Sequence, residues 1–140
     1  MSDLGTEMKT VERYNPATNE WTKLASMKEK RAYIGVTVLD EYIYAVGGWN
    51  EHHGALKTVE RYYPRKNEWT SLPTMSEPRA GASVAAVNGL VFVIGGRTSS
   101  NEFTAPATLD TVECFDPHTW TWIEIGKMPT SRCEAGIAVL

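Results

Sequence analysis

The chain has 140 residues, of which 42% are hydrophobic and 22% are charged, a composition typical of one globular unit rather than of a fibre or a disordered tail. Its apolar runs are far shorter than a membrane span requires, and residues 1–10 lack the hydrophobic core of a secretory signal. The formal net charge is −3 and the basic residues are scattered, so we predict neither a nucleic-acid nor a membrane partner.

Internal repeats organise the sequence. The motif Thr-Val-Glu-Arg-Tyr at residues 10–14 returns at residues 58–62 and, with changes, at residues 111–115, so the intervals are 48 and 53 residues. The five extra residues of the second interval lie between Gly96 and Thr111, which predicts a surface loop there. A tryptophan, a methionine and an arginine recur at the same two intervals, and a glycine pair recurs at the first: Trp21, Trp69, Trp122; Met27, Met75, Met128; Arg31, Arg79, Arg132; Gly47-Gly48, Gly95-Gly96.

Short segments with a period of two predict strands throughout the chain. A two-residue turn follows the first strand after each repeated arginine: Asn88-Gly89 is a strong type I′ hairpin signal, and Asp40-Glu41 fills the same position less ideally. No segment predicts an amphipathic helix, so the predicted fold class is all-β. In chain order the strands are residues 10–14, a strand at Trp21, residues 36–38, 42–46, 58–62, a strand at Trp69, residues 84–87, 90–94, 111–115 and a strand at Trp122.

A four-stranded sheet of this size cannot cover both of its own faces, so neighbouring repeats are expected to pack on it. Small residues follow each repeated arginine, as at Gly35 and Ala82, and predict crowding near a central axis. The implied architecture is a β-propeller with four-stranded antiparallel blades. An aromatic residue and a tryptophan lie seven residues apart in every repeat, and we expect each ring pair to hold adjacent blades together: Tyr14 with Trp21, Tyr62 with Trp69, and Phe115 with Trp122.

The spacing of these landmarks resembles the kelch repeat: a glycine pair, a tyrosine with a tryptophan seven residues later, then a methionine and an arginine. The phrases Thr-Val-Glu-Arg-Tyr, Asn-Glu-Trp and Tyr-Ala-Val-Gly-Gly are similar to those of the kelch domains of BTB/kelch ubiquitin-ligase substrate adaptors. The resemblance covers residues 10–140. It implies that residues 1–140 form a partial kelch propeller, about half of a six-bladed domain.

Blade boundaries follow from this resemblance. Residues 31–72 and 79–125 are predicted to be complete blades, residues 10–30 the outer strands of a first blade, and residues 132–140 the first strand of a next one. If two copies met head to tail, the blade at their junction would lack its second strand. We therefore expect either a fragment of a longer domain or an open arc with unpaired edges.

Catalytic chemistry has little support in the sequence. His52 and His53 lie beside Glu51, but neighbouring residues on an extended chain point apart, which favours a solvated loop over a metal site. Cys133 has no histidine close in sequence to act as a base. We predict no catalytic residue, no metal and no cofactor. An enzyme of the galactose-oxidase-like propeller type, with a site completed by other blades, is the alternative from another class.

The loops at the glycine-pair end are the predicted binding surface, because in a propeller they gather around the channel. One set follows the glycine pairs, at residues 49–57 and 97–110, and the other joins consecutive blades, at residues 28–33, 76–81 and 130–134. Tryptophan and arginine are frequent binding hot spots. For Trp49 and Arg97, which directly follow the glycine pairs, local packing is an equally favoured alternative to partner contact. The candidate partner-binding residues are Trp49, Asn50, Glu51, Arg97, Ser99, Asn101, Tyr33, Gly81 and Glu134.

The recurring charged residues are expected to be scaffolding rather than recognition residues. An arginine and a glutamate return in every repeat, and buried polar groups need hydrogen-bond partners. We expect each glutamate to satisfy backbone or arginine donors. The residues concerned are Arg31, Arg79 and Arg132, with Glu12, Glu60 and Glu113.

The resemblance implies a protein-recognition function. The expected partner is a protein substrate or peptide, with a cullin ligase engaged through BTB and BACK segments that do not occur in this sequence; actin or another cytoskeletal filament is the alternative binding partner. Acidic and basic residues mix in the loops, which favours a mixed-charge ligand with an apolar anchor. Two cysteines and no Asn-x-Ser/Thr site fit a reducing compartment, so we expect a cytoplasmic protein, with cytoskeletal or nuclear locations as alternatives.

Overall fold

A computed structural model describes residues 8–98 and 107–127, which form an all-β structure. This part of the chain contains no helix long and apolar enough to cross a membrane. Its strands are β1 (Val11–Asn15), β2 (Glu20–Leu24), β3 (Gly35–Leu39), β4 (Tyr42–Val46), β5 (Trp49–Asn50), β6 (Gly54–Ala55), β7 (Val59–Tyr63), β8 (Glu68–Ser71), β9 (Ser83–Val87), β10 (Leu90–Ile94), β11 (Arg97–Thr98), β12 (Ala107–Thr108), β13 (Thr111–Asp116) and β14 (Thr121–Lys127).

Three successive main sheets and two short two-stranded sheets make up the described part of the fold. Strands β1 and β2 pair as a hairpin, here called the first blade; β3, β4, β7 and β8 form the second blade; β9, β10, β13 and β14 form the third. All these pairings are antiparallel, and in both four-stranded sheets the strand order follows the chain. The predicted all-β partial propeller with four-stranded antiparallel blades is confirmed.

The turns between inner strands differ between the two complete sheets. Asn88 and Gly89 have φ angles of 50° and 78°, as a type I′ turn requires, so that prediction is confirmed. In the turn Asp40-Glu41 only Asp40 has a positive φ, of 54°. Both turns still close two-residue hairpins, because their flanking strands pair directly.

Each segment after a glycine pair contains described strands as well as loop residues. Each contains a short hairpin, β5 with β6 and β11 with β12. In the first of these, the side-chain oxygen of Asn50 accepts hydrogen bonds from the backbone N–H groups of His52 and His53 at 3.1 and 2.9 Å. Asparagine can close a turn in this way, a local effect that strand periodicity does not reveal.

The hydrophobic core lies between the second and third blades rather than within either one. Its central side chains are at most 2% exposed, and the two sheets contribute equally. Blade stacking therefore supplies the burial that one sheet cannot. The residues are Tyr44, Val46 and Val59 from the second blade, Val91, Val93 and Phe115 from the third, and Met75 from the connection between the two blades.

Glycines occur where backbones approach most closely. A Cβ atom on Gly35 would overlap Cγ2 of Val84 in the third blade, which confirms the predicted crowding of inner strands. Gly47 and Gly48 have φ angles of 60° and 106°, and a Cβ on Gly48 would lie 2.7 Å from the carbonyl oxygen of Ala32.

The paired aromatic rings face the preceding blade. Ring centres are 5.1 Å apart in both Tyr62–Trp69 and Phe115–Trp122. The indole of Trp69 donates a hydrogen bond to the carbonyl oxygen of Ala25 at 2.9 Å, and the indole of Trp122 donates to that of Pro73 at 2.7 Å. Each tryptophan thus reaches the segment that leaves the blade before it.

The first ring pair departs from the expectation. Tyr14 and Trp21 contact each other at 5.0 Å, but they are 42% and 66% exposed, so they hold no blades together among the described residues. The inner strand of the second blade is also open on one face, where Val36 is 50% exposed and Val38 is 61% exposed. No described sheet precedes the β1–β2 hairpin to cover the ring pair, and the described first blade has only two strands, so no inner strand covers Val36 and Val38.

The recurring arginine and glutamate form buried ion pairs. Arg79 is 0% exposed, and its Nη2 lies 3.0 Å from Oε2 of Glu113, while its Nη1 donates to the carbonyl oxygens of Gly95 and Thr111 at 2.7 and 3.0 Å. One repeat earlier, Arg31 pairs with Glu60 at 3.0 Å and donates to the equivalent carbonyls.

These contacts confirm the scaffolding prediction for two of the three repeats. Each guanidinium ties the end of the second strand of a blade to the start of its third strand. Glu12 is solvent-exposed, contrary to expectation, because the described residues contain no arginine from an earlier repeat that could reach it. Arg132 lies outside the described residues.

Candidate functional site

The predicted binding rim is held together by backbone pairing within each repeat. Trp49 and Ala32 exchange hydrogen bonds at 2.8 and 2.9 Å, and Arg97 and Ala80 do the same at 2.9 Å in both directions. The residue after each glycine pair is therefore joined to the residue after each repeated arginine. This pairing brings the two kinds of predicted loop to one end of the blades.

Three of the predicted contact residues meet at this end. The N–H of Gly81 donates to the carbonyl oxygen of Tyr33 at 2.9 Å, and the Cζ atom of Arg97 lies 4.9 Å from the centre of the Tyr33 ring. Tyr33 is 53% exposed, so its other face is open to solvent. The arrangement is a cation–π pair that presents an aromatic surface beside a positive charge.

Trp49 lies one repeat before Arg97 and is half-buried. Its backbone occupies β5, which pairs with β6 and with Ala32. Part of the indole therefore remains available at the rim while the backbone is fixed.

Asn50 and Glu51 have different surroundings. Asn50 is only 4% exposed, and its side-chain nitrogen donates to the carbonyl oxygen of Lys30 at 3.1 Å, so it positions the loop from beneath. Glu51 is exposed and lies 3.9 Å from Nε2 of His52. A partner contact for Glu51 fits this placement, whereas Asn50 reaches a partner only through the loop that it shapes.

Three further candidates, Ser99, Asn101 and Glu134, lie outside the described residues. Their partner contacts stay predictions.

A basic pocket beside the rim was missed by the sequence analysis. Lysine and histidine side chains from three segments line a cavity of about 250 Å³: Lys9, Lys28, Lys30, His52 and His53. The sequence alone predicts a solvated loop for the histidines and a mixed-charge surface for the lysines. A comparison of repeats could have revealed the pocket, because Ser76 and Pro78 stand where this junction has Lys28 and Lys30.

Nucleophilic or metal chemistry has no visible site in the described part of the chain. Among residues 8–98 and 107–127, no group of three or more His, Cys, Asp or Glu side chains could hold a metal ion. Burial raises the pKa of the Cys114 thiol above its ordinary value, and the carboxylates of Asp116 and Glu113 raise it further. Cys114 is therefore a poor nucleophile near neutral pH.

Comparison with known proteins agrees with the repeat structure. The model of the Kelch motif family matches residues 1–28, 30–76 and 78–129. Relatives include Kelch-like ECH-associated protein 1A from Danio rerio, 51% identical over 43 residues, and Kelch-like protein 13 from Bos taurus, 44% identical over 45 residues. Kelch-like protein 5 from Homo sapiens is 50% identical over 40 residues.

These matches are local. They cover 31%, 32% and 29% of this chain and only 7%, 7% and 5% of the respective relatives. The family model, by contrast, spans nearly the whole chain and all three described blades. The chain therefore belongs to the Kelch motif family.

Proposed function

We propose that this chain is a protein-recognition module, the substrate-binding part of an adaptor for a cullin–RING ubiquitin ligase, and that it binds a protein substrate or peptide through the loops at its glycine-pair end. The rim of Tyr33, Trp49 and Arg97 is the proposed contact surface. Its work is binding rather than catalysis, and its location is the cytoplasm.

The meeting of Tyr33 and Arg97 is the observation that carries this proposal. The two residues come from different repeats, yet they form one surface in which the Tyr33 ring is exposed and Arg97 is half-buried. Neither residue is needed for the hydrophobic core, which lies between the sheets further along the strands. Aromatic and arginine side chains of this kind supply a large share of binding energy at protein interfaces.

The apolar anchor and the charges of the rim support a peptide ligand. Trp49 is half-buried and Tyr33 is exposed, so both offer ring surface to a partner. Glu51 and Arg97, the one two residues after Trp49 and the other over the Tyr33 ring, carry opposite charges, which suits a ligand with charges of both signs.

Affinity capture tests the recognition part of the proposal. The immobilised full chain is exposed to cell lysate, and retained proteins are compared with those retained by the Tyr33→Ala/Arg97→Ala variant. The proposal expects a specific protein that the wild-type chain retains and the variant loses. Equal retention by both, with unchanged folding of the variant, would contradict the assignment of the rim.

The ligase part rests on the family resemblance and needs its own test. The native gene product that contains this sequence is isolated from cells, and cullin co-purification is measured. Ubiquitination of the captured protein should fall when Arg97 is replaced by Ala in that gene product. If the gene product captures a partner protein but no cullin co-purifies, the recognition function stands and the ligase role is rejected.

A further inference from the structure

The basic pocket at the junction of the first and second blades is separate from the Tyr33–Arg97 surface. Lys9 enters it from the segment before β1, Lys28 and Lys30 from the connection between blades, and His52 and His53 from the β5–β6 turn. Its volume of about 250 Å³ is large enough for a phosphorylated side chain.

Positive charge predominates in this pocket. Three lysines line it together with one carboxylate, that of Glu29, which is half-buried. Glu51 is a second nearby acid, 3.9 Å from His52, but it does not line the cavity. With both histidines neutral, the lysines still outnumber the carboxylates, so the pocket favours an anion.

The connection that carries two of the lysines is held in place by the buried ion pair below it. The N–H groups of Lys28 and Glu29 donate to the two carboxylate oxygens of Glu60 at 2.9 and 3.2 Å. The same carboxylate binds Arg31. Little ordering of this backbone is therefore needed when a ligand binds, which lowers the cost of association.

The other two segments are also anchored. The buried side chain of Asn50 links the carbonyl oxygen of Lys30 to the N–H groups of His52 and His53. The carbonyl oxygen of Lys9 accepts a hydrogen bond from the N–H of Met27 at 2.8 Å. The pocket walls are therefore preorganised, while the lysine ammonium groups stay at the surface.

The neighbouring junction shows that the scaffold does not require these lysines. Ser76 and Pro78 occupy the positions of Lys28 and Lys30 one repeat later, and the carboxylate of Glu113 holds the N–H of Ser76 at 3.0 Å as Glu60 holds that of Lys28. The fold is thus maintained without the two cations. Their presence at the first junction is an addition to the scaffold.

The donors are of the kind that suits a phosphoryl group. No arginine lines the pocket, so its cations are lysines, which bind phosphate as point charges rather than through a bidentate fork. The three lysines come from two segments, Lys9 from one and Lys28 with Lys30 from the other, and together they supply enough positive charge for a dianion. A phosphorylated side chain carries a charge of about −1.5 to −2 near neutral pH.

We infer that this pocket binds the phosphoryl group of a phosphorylated peptide segment on the protein partner. The inference deepens the proposed recognition function and rests on it. The pocket adjoins β5, which carries Trp49, so one peptide can reach the rim with an apolar side chain and the pocket with its phosphate.

Direct titration of the full chain with O-phosphoserine tests the pocket. Calorimetry or amide chemical shifts should show saturable binding, whereas serine and glutamate at matched ionic strength should bind far more weakly. The Lys28→Gln/Lys30→Gln variant should lose about tenfold in affinity. Lys57→Gln is the matched control: Lys57 is exposed, occupies the position of Lys9 one repeat later and lies outside the pocket, so this change should alter the affinity by less than about twofold.

Several outcomes overturn the inference. These are no saturable phosphoserine binding, binding of glutamate as tight as that of phosphoserine, or equal losses in the pocket variant and the Lys57→Gln control, which would indicate non-specific attraction. Phosphatase treatment of the lysate separates this inference from the proposed function. Capture that survives treatment keeps the recognition function and rejects the phosphoryl pocket, whereas absence of any specific capture by the wild-type chain rejects the recognition function itself.

Discussion

The guanidinium of Arg97 lies over the ring of Tyr33, with Cζ 4.9 Å from the ring centre. This contact joins the segment after the second glycine pair to the connection that precedes the second blade. It is also the point at which two loops of different repeats become one surface. Removing this contact should therefore lower partner affinity more than it lowers the stability of the fold.

Replacing Arg97 or Trp49 by alanine should weaken partner binding and leave thermal stability nearly unchanged. An exposed cation–π contact contributes only about 0.5–1 kcal/mol to stability, whereas a hot-spot truncation costs about 2 kcal/mol or more of binding free energy. Partner affinity and melting temperature are measured side by side.

The control for this rim prediction is Arg65→Ala. Arg65 is exposed, pairs with Glu41 at 2.6 Å and lies at the turn end of the second blade, away from the glycine pairs. It should leave partner affinity unchanged. A large loss of stability with intact binding in the Arg97 or Trp49 variants would contradict the rim assignment.

Replacing Trp69 by alanine should destabilise the fold by about 3 kcal/mol, the lower end of the range for truncation of a large core aromatic, because its side chain is half-buried. The change removes the contact with Tyr62 and the hydrogen bond to Ala25. Trp21 stands at the same repeat position but is 66% exposed. The Trp21→Ala variant should therefore lose less than about 1 kcal/mol of stability. Urea denaturation measures both. Similar losses in the two variants would show that the first ring pair is covered in solution.

Replacing Arg79 by methionine should cost about 3–5 kcal/mol, because it leaves the carboxylate of Glu113 buried without its partner. A second change, Glu113→Leu, removes that unpaired charge and should recover part of the loss. Chemical denaturation of the single and double variants measures this coupling. The two side chains are not coupled if the stability losses of the two single variants simply add up in the double variant.

The stability of the fold should depend on the ionisation of Cys114 at alkaline pH. Burial, with Asp116 and Glu113, raises the pKa of this thiol above its ordinary value of 9.0. The unfolded chain therefore loses the thiol proton first as the pH rises. The protonated Cys114 thiol therefore contributes stability that is fully present below about pH 9 and is lost as the pH rises through the higher pKa of the folded chain.

Wild-type and Cys114→Ala chains are compared by denaturation at about pH 8 and about pH 10, and the wild type should lose more stability over that interval. Alkylation gives an independent check, since the native thiol should react more slowly than the same thiol in urea. Equal alkylation rates in the folded and unfolded chains would contradict the inferred burial. Peptide mapping is needed to separate Cys114 from Cys133.

Several features were determined by the local sequence. The Asn88-Gly89 turn formed as expected because both residues accept positive φ at little steric cost. The seven-residue spacing placed Tyr62 beside Trp69 because the two residues are direct partners across adjacent strands. Strand period, turn chemistry and repeat spacing are encoded within a few residues or copied along the chain, so the all-β class and the blades follow from the sequence by itself.

Only the tertiary structure decided which surfaces are covered and which side chains converge. Trp21 and Trp69 are equivalent in the repeat, yet one is exposed and the other hydrogen-bonded, because burial depends on a neighbouring blade rather than on the residue. Likewise Lys9 and His52 lie far apart in the chain but line one pocket. Long-range packing brings them together, and neither periodicity nor spacing records the distance between side chains on different blades.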